Sequence, residues 1–251
     1  MTQRLNGRTA LVTGATSGIG RAVAIALAAE GAQVVVSGRN GDRGAQVVEE
    51  IVAYGGKAEF VGADLAAGSA AITKLATGAV VAVGGRLDIL VNNAAQLVGR
   101  IDTTDTTEEL VDRALATSVK APFLLTAAIV PAMAARGDGV IVNMGSINGI
   151  RGMAGSALYT ATKHAIHGLT KAWAAEFGPF GVRVNTVAPG PTLTDGVKTM
   201  TSLREQIAGS VPSRTLSTPQ QVAAVVVFLA SDDAANIQGA TLSVDGGFTA
   251  V

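Results

Sequence analysis

The chain has 251 residues, 48% of them hydrophobic, with 19 basic and 19 acidic side chains and no cysteine. That length suits one large α/β domain with a sizeable core, and a formal net charge of zero disfavours a nucleic-acid or anionic-membrane partner held by bulk electrostatics. The lack of cysteine excludes disulfides, thiolate catalysis and Cys-ligated zinc.

The start, MTQRLNGRTALVTG, lacks the apolar stretch of a signal peptide. No apolar run reads as long enough for a membrane span, and the longest, such as VAAVVVFLA at 222–230, suits a buried helix. The expectation is a soluble, cytoplasmic protein.

In chain order, TALVTG, QVVVSG, AEFVGAD, LDILVNN, GVIVNMGS, VRVNTVAPG and ATLSVDGG read as strands. Each is a short apolar run ending at small or polar residues, as buried parallel strands do. Between them, 19–30, 42–54, 69–83, 107–134, 156–178 and 218–230 have helical composition. Strand–helix alternation implies βαβ units and a parallel sheet covered on both faces. Gly31, Gly55–Gly56 and Gly84–Gly85 follow helices, where the chain needs positive φ. Pro122 falls inside 107–134, which predicts two helices or a kink there. The segment 190–217 is a long non-strand insertion rich in Gly and Pro, the pattern of a functional lid or a disordered loop. No second domain is evident.

The first strand runs into Thr13-Gly14-Ala15-Thr16-Ser17-Gly18-Ile19-Gly20 and then into a helix. Glycines let the backbone approach a pyrophosphate, and the helix start offers free N–H groups and the positive end of its dipole. The spacing 14, 18, 20 departs from G-x-G-x-x-G, so a tight turn without a ligand stands as the alternative. The second strand ends Val36-Ser37-Gly38-Arg39-Asn40, with an arginine and no carboxylate. That favours the 2′-phosphate of NADP(H) over the 2′-hydroxyl of NAD(H), against the alternative of a solvated arginine. Asp64-Leu65 suits adenine contacts, and Asn92-Asn93 should lie beside the ribose.

Tyr159 and Lys163 stand four apart in SALYTATKHAIHGLTKAWAAEF, on one helical face. Alone the pair reads as an ordinary half-buried ring beside a solvated lysine. With Ser146 and the glycine turn it reads as machinery for moving a proton to or from an alcohol oxygen. His164 and His167, spaced i, i+3, could suggest a metal, but with no third ligand evident they read as surface or packing residues.

TGATSGIG, the aspartate in GADL, NNAA, the serine in MGS, YTATK and the PG before Thr192 and Thr194, in that order over nearly the whole chain, resemble the short-chain dehydrogenase/reductase family, and within it the 3-oxoacyl carrier-protein reductases and related ketoreductases. The resemblance implies a Rossmann-like, doubly wound, parallel seven-stranded sheet with helices on both faces, one dinucleotide-binding and catalytic domain over 1–251, and assembly as a homotetramer. It implies Tyr159 as acid/base, Lys163 as the ribose-binding residue that lowers the tyrosine pKa, and Ser146 as the hydroxyl on the substrate oxygen. Gly14, Ser17, Gly18, Ile19, Gly20, Arg39, Asp64, Leu65, Asn92, Asn93, Thr192 and Thr194 join them around the cofactor. Where the family often carries a tetrad asparagine, the slot holds Ser118, so the proton relay to solvent is expected to be weakened or rearranged.

Side chains near the reacting carbon should include Leu97, Asn148, Met153, Leu193 and Met200, with Gln96, Val98, Ile147, Val197 and Leu203. These are mostly apolar, which fits a neutral or weakly polar small-molecule ketone or secondary alcohol; Arg151 could accept an anion or be solvated. An NAD(H)-preferring alcohol dehydrogenase and a non-catalytic nucleotide-binding regulator on the same fold are the alternatives.

Overall fold

A computed structural model describes residues 3–194 and 208–251. Seven strands form one sheet: β1 (Thr9–Val12), β2 (Gln33–Gly38), β3 (Lys57–Gly62), β4 (Ile89–Asn92), β5 (Gly139–Met144), β6 (Val182–Pro189) and β7 (Thr241–Val244). All pairings are parallel and the spatial order is β3-β2-β1-β4-β5-β6-β7. The order reverses between β1 and β4, which opens a crevice at the carboxyl ends of those strands.

The helices are α1 (Gly18–Ala29), α2 (Gly41–Ala53), α3 (Ser69–Ala82), α4 (Glu108–Leu115), α5 (Ala121–Arg136), α6 (Ala157–Phe177) and α7 (Pro219–Ala230). Strand alternation divides the core. Ala10 and Val12 of β1 pack with α1, with Val47 and Ile51 of α2 and with α7; Leu11 faces the opposite layer of α3, α5 and Trp173 of α6. Gly31, Gly55, Gly84 and Gly85 follow helices with positive φ, as their positions predict; Gly56 does not, and its N–H closes on the Ile51 carbonyl (3.0 Å).

The 107–134 stretch forms two α-helices, as Pro122 predicts, but they are continuous. α4 passes into α5 through a π-turn at Ala116–Lys120, where Ala121 N–H reaches the Ala116 carbonyl. Pro122 has no N–H for the Ser118 carbonyl, and its ring crowds that carbonyl, so the helix widens there instead of breaking. The resulting run Glu108–Arg136, 29 residues with mean hydropathy 1.5 in its most apolar window, is long and apolar enough to span a membrane by length and composition, contrary to the expectation from sequence. Ala121, Leu125, Ile129 and Met133, at i, i+4 spacing, spend that apolar face on the core.

A row of polar side chains crosses the sheet one level below the crevice. Asn92, Asn143 and Thr186 are register partners on β4, β5 and β6. Asn92 Nδ2 donates to Asn143 Oδ1 (2.9 Å) and to Thr126 Oγ1 of α5 (3.3 Å). Asn143 Nδ2 donates to Thr170 Oγ1 of α6 (2.8 Å), which also meets Thr186 Oγ1 (2.6 Å). A buried polar group left without a partner costs about 1–3 kcal/mol, so this network fixes α5 and α6 against the strand ends in one register.

Candidate active site

A cleft of about 960 Å³ follows the crevice from the end of β2 to the start of α6. At its centre the glycine turn is held shut from behind. Asn93 Nδ2 donates to the carbonyls of Thr13 (2.8 Å) and Gly14 (3.1 Å), and Thr13 Oγ1 accepts from the N–H groups of Asn93 and Ala94. A Cβ on Gly20 would lie 2.2 Å from the Gly14 carbonyl oxygen, so only glycine closes the turn this tightly. Ser17 precedes α1 without a side-chain cap, and the first turn of α1 carries no acid. The helix start therefore keeps its N–H groups and positive dipole end for the cleft, which suits a diphosphate.

At one end Arg39 lines the cleft and makes no hydrogen bond or ion pair among the described residues. Asp64 and Leu65 lie nearby, with Asp64 Oδ1 accepting from Ala66 N–H. Sequence reasoning missed Arg43 and the Arg21–Glu50 ion pair, which also line this end. Their signal was present but weak: basic residues within the first turns of the helices that flank the crevice.

At the other end Ser146, Tyr159 and Lys163 share one wall. α6 supplies the last two, and its N-terminus is anchored where Ser156 accepts the N–H of Thr160 at its carbonyl (2.8 Å). Lys163 is 4% exposed, and its Nζ donates to the Met144 carbonyl at the end of β5 (2.7 Å). Burial lowers its pKa from 10.5 to about 8. The ammonium sits 5.6 Å from the Tyr159 ring centroid, over the ring.

Burial also raises the Tyr159 phenol above its usual 10, with only a hydrogen bond from Ser146 pulling it down. The sequence reading expected Lys163 to lower this tyrosine. Desolvation of the phenolate dominates instead, and Lys163, which donates to Met144 and sits over the ring, does not contribute to the shift. Ser146 Oγ accepts from Asn148 N–H (3.1 Å), which fixes the turn after β5.

Of the other expected residues, Gly14, Ser17, Gly18, Ile19, Gly20, Asn93, Leu97, Thr192 and Thr194 line the cleft. Thr192 is held by its Oγ1 on the Gly190 carbonyl (2.9 Å) and by a bridge to Ser217 that closes the base of the insertion. Several do not line it. Asn92 turns its amide into the polar row and away from a ribose. Ser118 is 2% exposed, and its Oγ accepts the Gln96 N–H (3.0 Å), so its hydroxyl braces the loop after β4; Thr117 takes the lining position. Asn148 is buried with Nδ2 on Ser156 Oγ (3.2 Å), Met153 lies against Arg100, and Leu193 donates its N–H to the Ser217 carbonyl. Arg151 stacks on Phe248, 4.8 Å from the ring centroid. Gly196, Val197, Met200 and Leu203 lie outside the described residues.

Residues 14–249 match a family model described as enoyl-(acyl carrier protein) reductase. A cyclohexanol dehydrogenase from Acinetobacter sp. is 38% identical over 250 residues, covering 99% of this chain and 98% of its own. A solved short chain dehydrogenase/reductase family protein superimposes with a TM-score of 0.90 at 42% identity, over 99% of this chain and 100% of its own. A Beutenbergia cavernae structure, assigned as an NAD(P)-dependent gluconate 5-dehydrogenase with NADP bound at low occupancy, gives a TM-score of 0.93 at 37% identity over 100% of both chains.

The buried lysine has a consequence for stability. Between about pH 8 and 10.5 the unfolded chain holds a proton on Lys163 that the folded chain has lost. Wild-type stability therefore gains with pH across that window. The fall from 10.5 to about 8 is worth about 3 kcal/mol at about 1.36 kcal/mol per pH unit. Urea unfolding of Lys163→Met and wild type should show the variant's relative stability falling by about that amount from pH 7 to 10.5. A pH-independent difference would mean that the ammonium is not desolvated.

Proposed function

The chain belongs to the short-chain dehydrogenase/reductase family, and from that premise we propose that it interconverts a ketone and a secondary alcohol with NADP(H), Tyr159 exchanging the proton. The observation that carries this reading is the convergence of Ser146, Tyr159 and Lys163 on one wall of a cleft whose far end presents Arg39, without a partner among the described residues.

The cleft residues fit the cofactor. The glycine turn and the open start of α1 would take the diphosphate, Arg39 the 2′-phosphate, and Lys163, with donors left beyond Met144, the nicotinamide ribose. A bound reduced nicotinamide supplies the hydride. In the reduction direction the protein's part is proton transfer and charge stabilisation. Tyr159, whose raised pKa keeps it protonated at neutral pH, gives its proton to the carbonyl oxygen. Ser146 hydrogen-bonds the same oxygen as charge develops there. Ser118 enters the relay to solvent through its backbone carbonyl, which Pro122 leaves without its i+4 donor, and not through its hydroxyl. The same reading includes a cytoplasmic homotetramer; Leu115 and Phe123 on the α4–α5 run are apolar and exposed, as a subunit contact requires.

Cofactor absorbance with NADPH and a panel of neutral ketones tests the activity. Tyr159→Phe should lower kcat by at least about a hundredfold, the low end for general acid–base catalysis, and leave NADPH binding intact. Near-wild-type turnover in that variant would remove Tyr159 from the chemistry. Silence of the wild type with tight NADPH binding would support a regulator on this fold.

Cofactor choice is tested separately. A hydrogen bond to a charged group contributes about 1.5–3 kcal/mol, so Arg39→Ala should raise the KM for NADPH about tenfold or more. The KM for NADH should move by less than about twofold, since no 2′-phosphate is lost. Equal effects on both would show that Arg39 does not read the phosphate.

A further inference from the structure

His167 lies one turn beyond Lys163 and two beyond Tyr159 on α6, and the chemistry above does not use it. Its side chain is 8% exposed. The ring fills the space under the turn that carries Ser146. A Cβ on Gly145 would lie 2.2 Å from His167 Nε2, and one on Gly149 would lie 2.5 Å from it. The glycines on both sides of Ser146 thus admit the imidazole edge, and Thr186 of β6 closes the same space, its Cγ2 lying 2.6 Å from a Cβ on Gly145.

Nε2 faces the backbone N–H of Ser146 at 3.5 Å, a long contact in which the ring nitrogen must accept. Acceptance at Nε2 requires a neutral ring with its proton on Nδ1. The surroundings enforce neutrality. Burial, then the positive charges of His164, Lys163 and Lys171 on the same helix, lower the pKa of His167 to about 4. The facing segments contribute Gly145, Ser146, Gly149 and Thr186, none of which carries a charge.

Ser146 is therefore held at two points. Its Oγ accepts from Asn148 N–H on the far side, and its own N–H points to His167. The hydroxyl so placed is the group that lowers the Tyr159 pKa. We propose that His167 is a positioning residue, a neutral imidazole acceptor and spacer that sets the Ser146 hydroxyl against the Tyr159 phenol. The inference rests on the reading of Tyr159 as acid/base, and it adds a third helical position, eight residues after the tyrosine, to the pair at 159 and 163.

The test compares His167→Leu, which fills the space without an acceptor, with His167→Gln, which restores one. His167→Met is run in parallel so that a folding failure of the leucine variant leaves an apolar variant to measure. With NADPH and a ketone that the wild type reduces, the apolar variants should lose about tenfold in kcat while the KM for NADPH stays within about twofold. In the alcohol-oxidation direction the acid limb of kcat, which reports the tyrosine, should move up by about half a pH unit or more. The glutamine variant should recover kcat to within about threefold of wild type. Wild-type kcat and an unmoved limb in the apolar variants would overturn the proposal, as would a loss of kcat that glutamine does not repair and that leaves the limb in place. A Tyr159→Phe variant as active as wild type would instead overturn the reading beneath it.

Discussion

The ammonium of Lys163, buried on the Met144 carbonyl, ties the end of β5 to the second turn of α6. The rest of the site hangs from that contact. The same strand end leads into the Ser146 turn, and the same helix carries Tyr159, so this charged hydrogen bond helps to hold hydroxyl and phenol on one wall. A buried cation is costly unless it is well bonded, and its fall to about 8 shows part of that cost. The polar row of Asn92, Asn143, Thr170 and Thr186 supplies the counterweight, since Asn143 and Thr186 keep Thr170 as a partner only when α6 stands in one register.

Tyr159 and Lys163 are pushed in opposite directions by one cause. Desolvation raises the phenol and lowers the ammonium, so both favour their neutral forms in a dry wall. A wall of that kind holds a proton on the phenol. Bringing the phenolate within range of neutral pH therefore falls to groups that complete the site, with the Ser146 hydroxyl as the part already built. This is why the serine turn, and what lies beneath it, matters as much as the helical pair.

The fold was legible because parallel strands announce themselves as short apolar runs ending in small residues, and all seven formed where those runs lie. The cleft-lining glycines and the trio were legible because their chemistry depends on residue type and spacing. Asn92, Ser118 and Asn148 were not, since each sits at the right place in the chain and its direction is decided by a tertiary partner: Asn143, the Gln96 N–H and Ser156 respectively. Pro122 showed that the long stretch would be disturbed, yet nothing in residue type or spacing said that two helices would join through a π-turn. His167 looked like packing, and it is packed; the clue to more was the glycine on either side of the serine, which has meaning only once the ring is seen between them.

The most direct measurement is the ionisation of Tyr159 itself. The chain has two tyrosines, so Tyr54→Phe leaves Tyr159 as the sole reporter in an ultraviolet titration of the phenolate. The account requires a midpoint above 10 without cofactor, and a lower midpoint when NADP+ is present. A midpoint at or below 10 without cofactor, or one that NADP+ leaves unmoved, would contradict it.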